Sequence, residues 1–299
     1  MKTFLSVSIL FALTLLVSCS KITDTVTTTP TTVVDSTLVP VDNLINIIGL
    51  TYAVKDAAIL KTGTPTFLGG GANAFHTFGL GDTADANALT NWNVKIVREF
   101  IGNLRENPLT GTYAIQSSTG AWLQPLQNVV NANSANGKIT ILCPFGWVDT
   151  NKNTYTFSGL NPSAQSFYAE YKTKMKLMAQ QFKGQSDVWI EIWNEPYSWN
   201  NTNGYTDALW LKDVTDMVNN LRSVSGFTNI ILVPGNGQGQ LEDAINNKGK
   251  TLLQTNNNIV FDLHGYEKWM IGTTTASITT RLQTLKIISS PFYSASVES

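Results

Sequence analysis

Strand and helix signals that alternate along most of the chain predict an α/β fold: a (β/α)8 TIM barrel that lacks its eighth strand and helix. Three observations carry this expectation. Seven short runs of β-branched and aromatic residues are separated by helical patterns and turn residues. The chain has 299 residues and is 42% hydrophobic, which suits one large core of the size, about 250 residues, that a barrel needs. A doubly wound open sheet would instead want a glycine-rich phosphate turn that opens a helix after its first strand. Neither Gly69-Gly70-Gly71 nor Gly235-Asn236-Gly237-Gln238-Gly239 has that context or spacing, and both read as turns.

The seven strands are expected at Thr66–Gly71, Asn93–Phe100, Lys138–Pro144, Asp187–Trp193, Asn229–Val233, Asn258–Leu263 and Pro291–Val297. Between the third and fourth lies the clearest helix signal. Asn161 reads as its N-cap and Pro162 as its first residue. Phe167, Tyr171, Met175, Met178 and Phe182 follow at helical spacing, and Gly184 ends it. A second helix is expected from Thr206 to Val224, with Leu209, Trp210, Val214, Met217, Val218 and Leu221 on one side. The Met and aromatic stripes of both are core faces rather than cofactor boxes. Because the chain stops at Ser299, inside or just after the seventh run, a barrel seam would be left with two unpaired edges. The expectation is a fragment truncated at its C-terminus.

The N-terminus reads as an address. Met1-Lys2 precedes an apolar run from Phe4 to Val17, too short for a membrane span of about 20 residues but suited to a secretory signal. It ends in Leu16-Val17-Ser18-Cys19, which resembles a bacterial lipobox, so residues 1–18 are expected to be removed and Cys19 lipidated. Residues 19–41, rich in Thr, read as a tether, and the globular part should occupy 42–299. This predicts an exported lipoprotein at the outer membrane, on its periplasmic or cell-surface side, that touches the membrane through its lipid anchor alone. Cys143, left as the one remaining cysteine, has no intramolecular partner and reads as core filler.

Composition removes other classes. A net charge of −1 and the lack of a long basic run exclude a nucleic-acid partner. Charged residues make up only 14%, and such a polar but weakly charged surface suits neutral ligands.

The chemistry concentrates in Val188-Trp189-Ile190-Glu191-Ile192-Trp193-Asn194-Glu195-Pro196-Tyr197. Here a buried strand delivers polar residues at its C-terminal end and breaks at a proline. In a barrel that end is the catalytic face. With Trp193 and Tyr197 as an apolar wall, desolvation should raise the Glu195 pKa toward what a general acid requires. Glu191 shares the strand parity of Glu195 but lies four residues deeper, which makes it a structural partner of a buried base.

These residues resemble glycoside hydrolase family 5, the cellulase and endo-mannanase family, whose signature is a strand ending in Asn-Glu-Pro. The likeness begins near Ala58. Ile59 to Leu68, a hairpin-like stretch, resembles the lead-in to the family's first strand. Gly71-Ala72-Asn73-Ala74-Phe75-His76 resembles its Gly-x-Asn-x-x-His cleft segment. Val94 to Arg98 resembles its second strand and Phe261-Asp262-Leu263-His264-Gly265-Tyr266 its sixth, with a His-x-Tyr pair. The resemblance implies a retaining endo-β-1,4-glycanase that acts on mannan or cellulose as a monomer, without a cofactor; His76 and His264, with no third ligand at characteristic spacing, predict no metal site. By the same analogy Glu195 is the acid/base, Asn194 meets the sugar 2-hydroxyl, Arg98 supports the nucleophile, and His264 and Tyr266 line the cleavage subsite. Asn73 and His76 join the cleft. Trp147, Trp199 and Trp269 fall just past strand ends, where rings suit sugar stacking. The family's nucleophilic Glu falls on Ser296 without gaps and on Glu298 after a shift of two, and Glu298 is taken as the nucleophile. The third-strand histidine is absent from Cys143-Pro144-Phe145-Gly146-Trp147, and the family's eighth-strand tryptophan has no counterpart before Ser299. A rival reading is a carbohydrate-binding surface lipoprotein with impaired catalysis.

Overall fold

The computed structural model describes residues 52–286, except 56–57, 67, 79–88, 90 and 112, together with the backbone of 292–295. The expected signal peptide, Cys19 and the tether lie outside the described residues, as do Ser296 and Glu298. The described part is built on one seven-stranded sheet in which every neighbouring pair is parallel. Its strands, β1 to β7, are Gly71–Ala74, Ile96–Ile101, Ile139–Pro144, Val188–Glu191, Ile231–Pro234, Ile259–His264 and Phe292–Ala295, and they lie side by side in chain order. Consecutive parallel strands with helical crossovers are the wall of a (β/α)8 barrel.

All seven strands overlap their expected spans, the first only at Gly71. Thr64–Pro65 belongs to a separate antiparallel sheet with Tyr52–Lys55 and Ala58–Lys61, turned at Thr62 (φ 50°) and Gly63 (φ 79°). Two positive φ values suit a hairpin turn that follows the strand twist. The barrel strand begins only at Gly71, in register with Ile96.

Alternation along the strands separates two cores. Residues facing the helices join one large cluster, with Ile190, Val233 and Phe261 packed against Met175, Phe182, Trp210 and Met217. Residues facing the lumen form an apolar floor of Ile96, Ile141, Trp189, Leu232 and Val260, closed by Tyr52 of the hairpin. Above that floor the same inward positions turn polar, which places the charged residues at the C-terminal mouth.

The helices are α1 Leu126–Ala135, α2 Tyr168–Phe182, α3 Asp207–Arg222, α4 Asp243–Leu253, α5 Glu267–Met270 and α6 Thr275–Lys286. The expected helix after Asn161 divides: Pro162–Ala164 form a 3-10 turn, and α2 starts at Tyr168. Gln165 is extended at ψ 135°, which stops the first turn from propagating. Thr206 caps α3 by accepting from the Leu209 amide at 3.0 Å. Two residues expected to touch substrate are instead core. The Trp147 ring is 1% exposed and stacks on Phe167. Trp269 is 7% exposed, donates its indole N–H to the Gln240 carbonyl at 2.8 Å, and is covered on one face by Arg281. A position past a strand end does not say which way the ring turns, and both rings turn into the packing.

Candidate active site

The lumen-facing residues of β2, β4 and β6 meet above the apolar floor. Arg98 of β2 and Glu191 of β4 are both fully buried and form a two-pronged pair, Nε to Oε2 at 2.7 Å and Nη2 to Oε1 at 2.6 Å. The expected buried base opposite Glu191 is therefore Arg98. A guanidinium cannot lose its charge, so this pairing is what makes its burial tolerable. Nη2 spends its second hydrogen on Asn194 Oδ1 at 3.0 Å. Arginine only donates, so the Asn194 atom facing it is the oxygen, and the amide nitrogen is left to donate elsewhere. Arg98 Nη1 is buried with no hydrogen-bond partner among the described residues.

Glu195 stands at the mouth, with its side chain 26% exposed. The chain reaches it through a constrained turn: Glu195 has φ 45° and Tyr197 φ 66°, on either side of Pro196. Such non-glycine conformations cost about 1–3 kcal/mol each and persist where surroundings enforce them. Four backbone bonds do so. Gly159 donates to the Glu195 carbonyl at 2.9 Å and Tyr197 to that of Leu160 at 2.8 Å, while the Gln238 amide reaches the carbonyls of Pro196 at 3.0 Å and Tyr197 at 3.2 Å.

The apolar wall expected from Trp193 and Tyr197 is not there. Trp193 lies between the sheet and α2, 6.0 Å from Phe157 and 6.3 Å from Tyr168. Tyr197 packs on Tyr205 at 5.1 Å, and its hydroxyl points toward Asp213. The regular strand ends at Glu191, so alternation no longer applies beyond it, and Ile192, Trp193 and Tyr197 all pack into the core on the helix side. What meets Glu195 is His264, the last residue of β6, with Nδ1 3.0 Å from Oε1.

His264 is itself fully buried. Its Nε2 lies 3.4 Å from Asp262 Oδ2 and 3.4 Å from Arg98 Nη2. Burial works against its charge, but Asp262 and the bond to Glu195 outweigh burial and the nearby Arg98, and raise its pKa to about 9. Tyr266 stands edge-on to the imidazole at 5.6 Å. Gly239, at φ 75°, presses on the ring: a Cβ there would stand 3.2 Å from Cγ and Cδ2. Cys143 is buried beneath, its thiol 3.9 Å from Asn194 Oδ1, and burial pushes its pKa well above the ordinary value, which leaves it an inert filler.

Glu191, Asp262 and His264 offer ligand atoms within 4.8 Å of one another. Both Glu191 oxygens are taken by Arg98, whose guanidinium also lies 3.4 Å from His264 Nε2. A cation there would be repelled by the guanidinium.

Other expected site residues fall further out. Asn73 of β1 is level with Arg98 across the sheet. His76 is turned outward and buried, with Nδ1 2.8 Å from Glu99 Oε2, so its ring serves the β1–β2 packing. Trp199 stays half-buried under the Lys268 ammonium, 4.5 Å from its ring centre. Two features escaped sequence reading. One is Asp262. The other is a group of phenylalanines at the mouth: Phe75, 39% exposed, lies 4.9 Å from Phe100, which carries Arg98 over its face and Phe145 at its edge.

Comparison with known proteins bears on the family and the fold. The profile of the family described as cellulase (glycosyl hydrolase family 5) matches residues 59–294. No curated protein sequence matches. Among solved structures, the β-mannanase from Thermomonospora fusca superposes with a TM-score of 0.59 at 18% identity, covering 81% of this chain and 73% of its own. The catalytic domain of a mannanase from Streptomyces sp. SirexAA-E gives 0.59 at 18%, covering 86% and 74%. That of Thermobifida fusca endoglucanase Cel5A gives 0.55 at 15%, covering 82% and 72%. At such identities the likeness establishes the barrel fold.

Proposed function

The chain belongs to glycosyl hydrolase family 5, the cellulase family, and on that premise we propose that it is a retaining endo-β-1,4-glycanase acting on mannan or cellulose. The observation that carries this reading is Glu195: a carboxyl at the barrel mouth, open on one side and held on the other by His264. In this reading Glu195 protonates the glycosidic oxygen while a second carboxylate attacks the anomeric carbon. Glu195 then takes a proton from water, which releases the sugar from the glycosyl enzyme. Glu298 is our choice for the nucleophile. The unpartnered Nη1 of Arg98 is a donor suited to such a carboxylate. The free Asn194 amide nitrogen suits the sugar 2-hydroxyl, and the half-exposed Phe75 ring suits a pyranose face. Neutral polysaccharide fits the low charge of the chain.

Reducing-sugar release from a panel of mannans and cellulose tests the activity. Glu195→Gln keeps shape but removes the transferable proton, and should lower turnover by about 10²–10⁴-fold with binding retained. Activity within threefold of the parent would overturn the assignment. Sugar binding by the native chain with no hydrolysis of any substrate would favour the rival reading, a surface lipoprotein that binds glycan.

The address is also a proposal. We read Cys19 as the lipidated residue of an exported protein, with residues 19–41 as its tether. Cys19→Ala should move the chain from the membrane to the soluble fraction, and equal partitioning would refute the lipid anchor.

A further inference from the structure

The environment of His264 contains a polar puzzle that the catalytic reading leaves unused. Asp262 lies two residues before it on the same inward face of β6 and is fully buried, and neither carboxylate oxygen has a hydrogen bond among the described residues. A buried, unsatisfied carboxylate is costly, so its presence calls for a role. Its nearest polar atom is His264 Nε2, 3.4 Å from Oδ2. The competing neighbour of Nε2 is Arg98 Nη2, also at 3.4 Å. That nitrogen has two hydrogens, one directed to Glu191 Oε1 and the other to Asn194 Oδ1. It has none left for the imidazole. Nε2 therefore meets an acceptor in Asp262 and no donor, and its satisfied state is protonated.

We propose that Asp262 is a positioning residue of the active site: it holds the Nε2–H of His264, so that Nδ1 faces Glu195 and the two side chains together keep the proton consumed in the acid step. The proposal rests on the assignment of Glu195 as acid/base. With Nε2 carrying its hydrogen, Nδ1 either accepts from the Glu195 carboxyl or carries a proton shared with the carboxylate. In both cases the pair holds one proton across the 3.0 Å contact, and its titration belongs to the pair. When the glycosidic bond breaks, that proton goes to the leaving oxygen, and the attacking water later returns one. The groups facing this unit are few. Glu195 lies at Nδ1, Asp262 and Arg98 at Nε2, Glu191 behind Arg98, the Cys143 thiol below Asn194, and the Tyr266 ring at the imidazole edge. Among them Asp262 is the carboxylate at Nε2 that is not already neutralised by the guanidinium.

The chain holds two histidines, so ¹⁵N-histidine labelling of the full chain gives a spectrum that can be read directly. A His264→Gln variant assigns the signals, leaving His76 alone. The native protein should show His264 with Nε2 protonated at every pH, gaining the Nδ1 proton on acidification. Asp262→Asn preserves shape and removes the charge. It should lower the His264 titration by about 1–3 pH units and move the alkaline limb of the kcat/KM profile down with it. KM should change little. A neutral native His264 with its proton on Nδ1 would overturn the proposal, and this reading needs no variant to fold. A folded Asp262→Asn with unchanged titration would overturn it as well. The spectrum does not depend on turnover, so a native chain that hydrolyses nothing would refute the proposed activity and leave the tautomer result standing.

Discussion

The pair most exposed to a single substitution is Arg98–Glu191. Both side chains are fully excluded from solvent, and the guanidinium makes two bonds to the carboxylate at 2.6 and 2.7 Å. Glu191→Gln removes one charge with almost no change in volume, so no cavity confuses the result. Two unit charges about 4 Å apart attract by about 4 kcal/mol at an effective dielectric of 20. Breaking a buried pair by removing one partner costs about 3–5 kcal/mol, because the surviving charge stays buried. The two figures agree. In a domain of this size each kcal/mol moves Tm by about 2–4 °C, so the variant should melt about 6–20 °C lower. Urea unfolding followed by tryptophan fluorescence supplies the free energy at 25 °C and calorimetry the Tm. The decisive control is the double variant Arg98→Met with Glu191→Leu, which removes both charges and should recover most of the loss. If Glu191→Gln costs less than about 1 kcal/mol, the pair does not hold this layer as described.

Three further outcomes are expected, two from this geometry and one from the proposed nucleophile. The folded-state pKa of His264, about 9, lies above its ordinary value, so its contribution to stability is complete below about pH 6.5 and disappears as pH rises through 9. Chemical unfolding of the native chain should lose about 3 kcal/mol between those limits, and His264→Gln should flatten that slope. Gly239→Ala places a Cβ 3.2 Å from the imidazole at φ 75°, so it should destabilise by more than about 1 kcal/mol and lower kcat; an unchanged melt and turnover would show that the ring is not held there. Glu298→Gly should abolish turnover, with partial rescue by azide on an activated substrate to give the inverted glycosyl azide; if Ser296 stands at the nucleophile position, Ser296→Glu raises activity and Glu298→Gly changes nothing.

How much was legible in the sequence depended on the kind of signal. Strands β2 to β6 announce themselves as apolar runs buried on both faces, and their spans fall within a few residues of expectation. The first strand was expected five residues too early, because the stronger β-formers, at Thr66 to Leu68, follow the hairpin closing the barrel floor. The true strand, Gly71-Ala72-Asn73-Ala74, has weak propensity and is held by its register on Ile96 to Glu99. The helix after Asn161 carried correct capping residues, yet they open a separate 3-10 turn.

In the site, alternation was a guide only as far as the regular strand ran. Counting back from Glu195 by even steps put Glu191 inside the barrel opposite a base, and Arg98 is there. Trp193 and Tyr197 share the parity of Glu195, but the regular strand ends at Glu191 and the chain then turns, with Glu195 and Tyr197 at positive φ, so both rings pack toward the helices. The tryptophans past strand ends failed for a related reason: Trp147 and Trp269 leave the strands, where alternation stops, and turns decide their direction. Asp262 needed only the rule that succeeded for Glu191, since it is two residues before His264 and so faces the same lumen. It went unread because its significance depends on a second fact that sequence does not hold, namely that both hydrogens of Arg98 Nη2 are committed to Glu191 and Asn194. Parity places a side chain in the lumen; only the full inventory of donors and acceptors there says which atom it must serve.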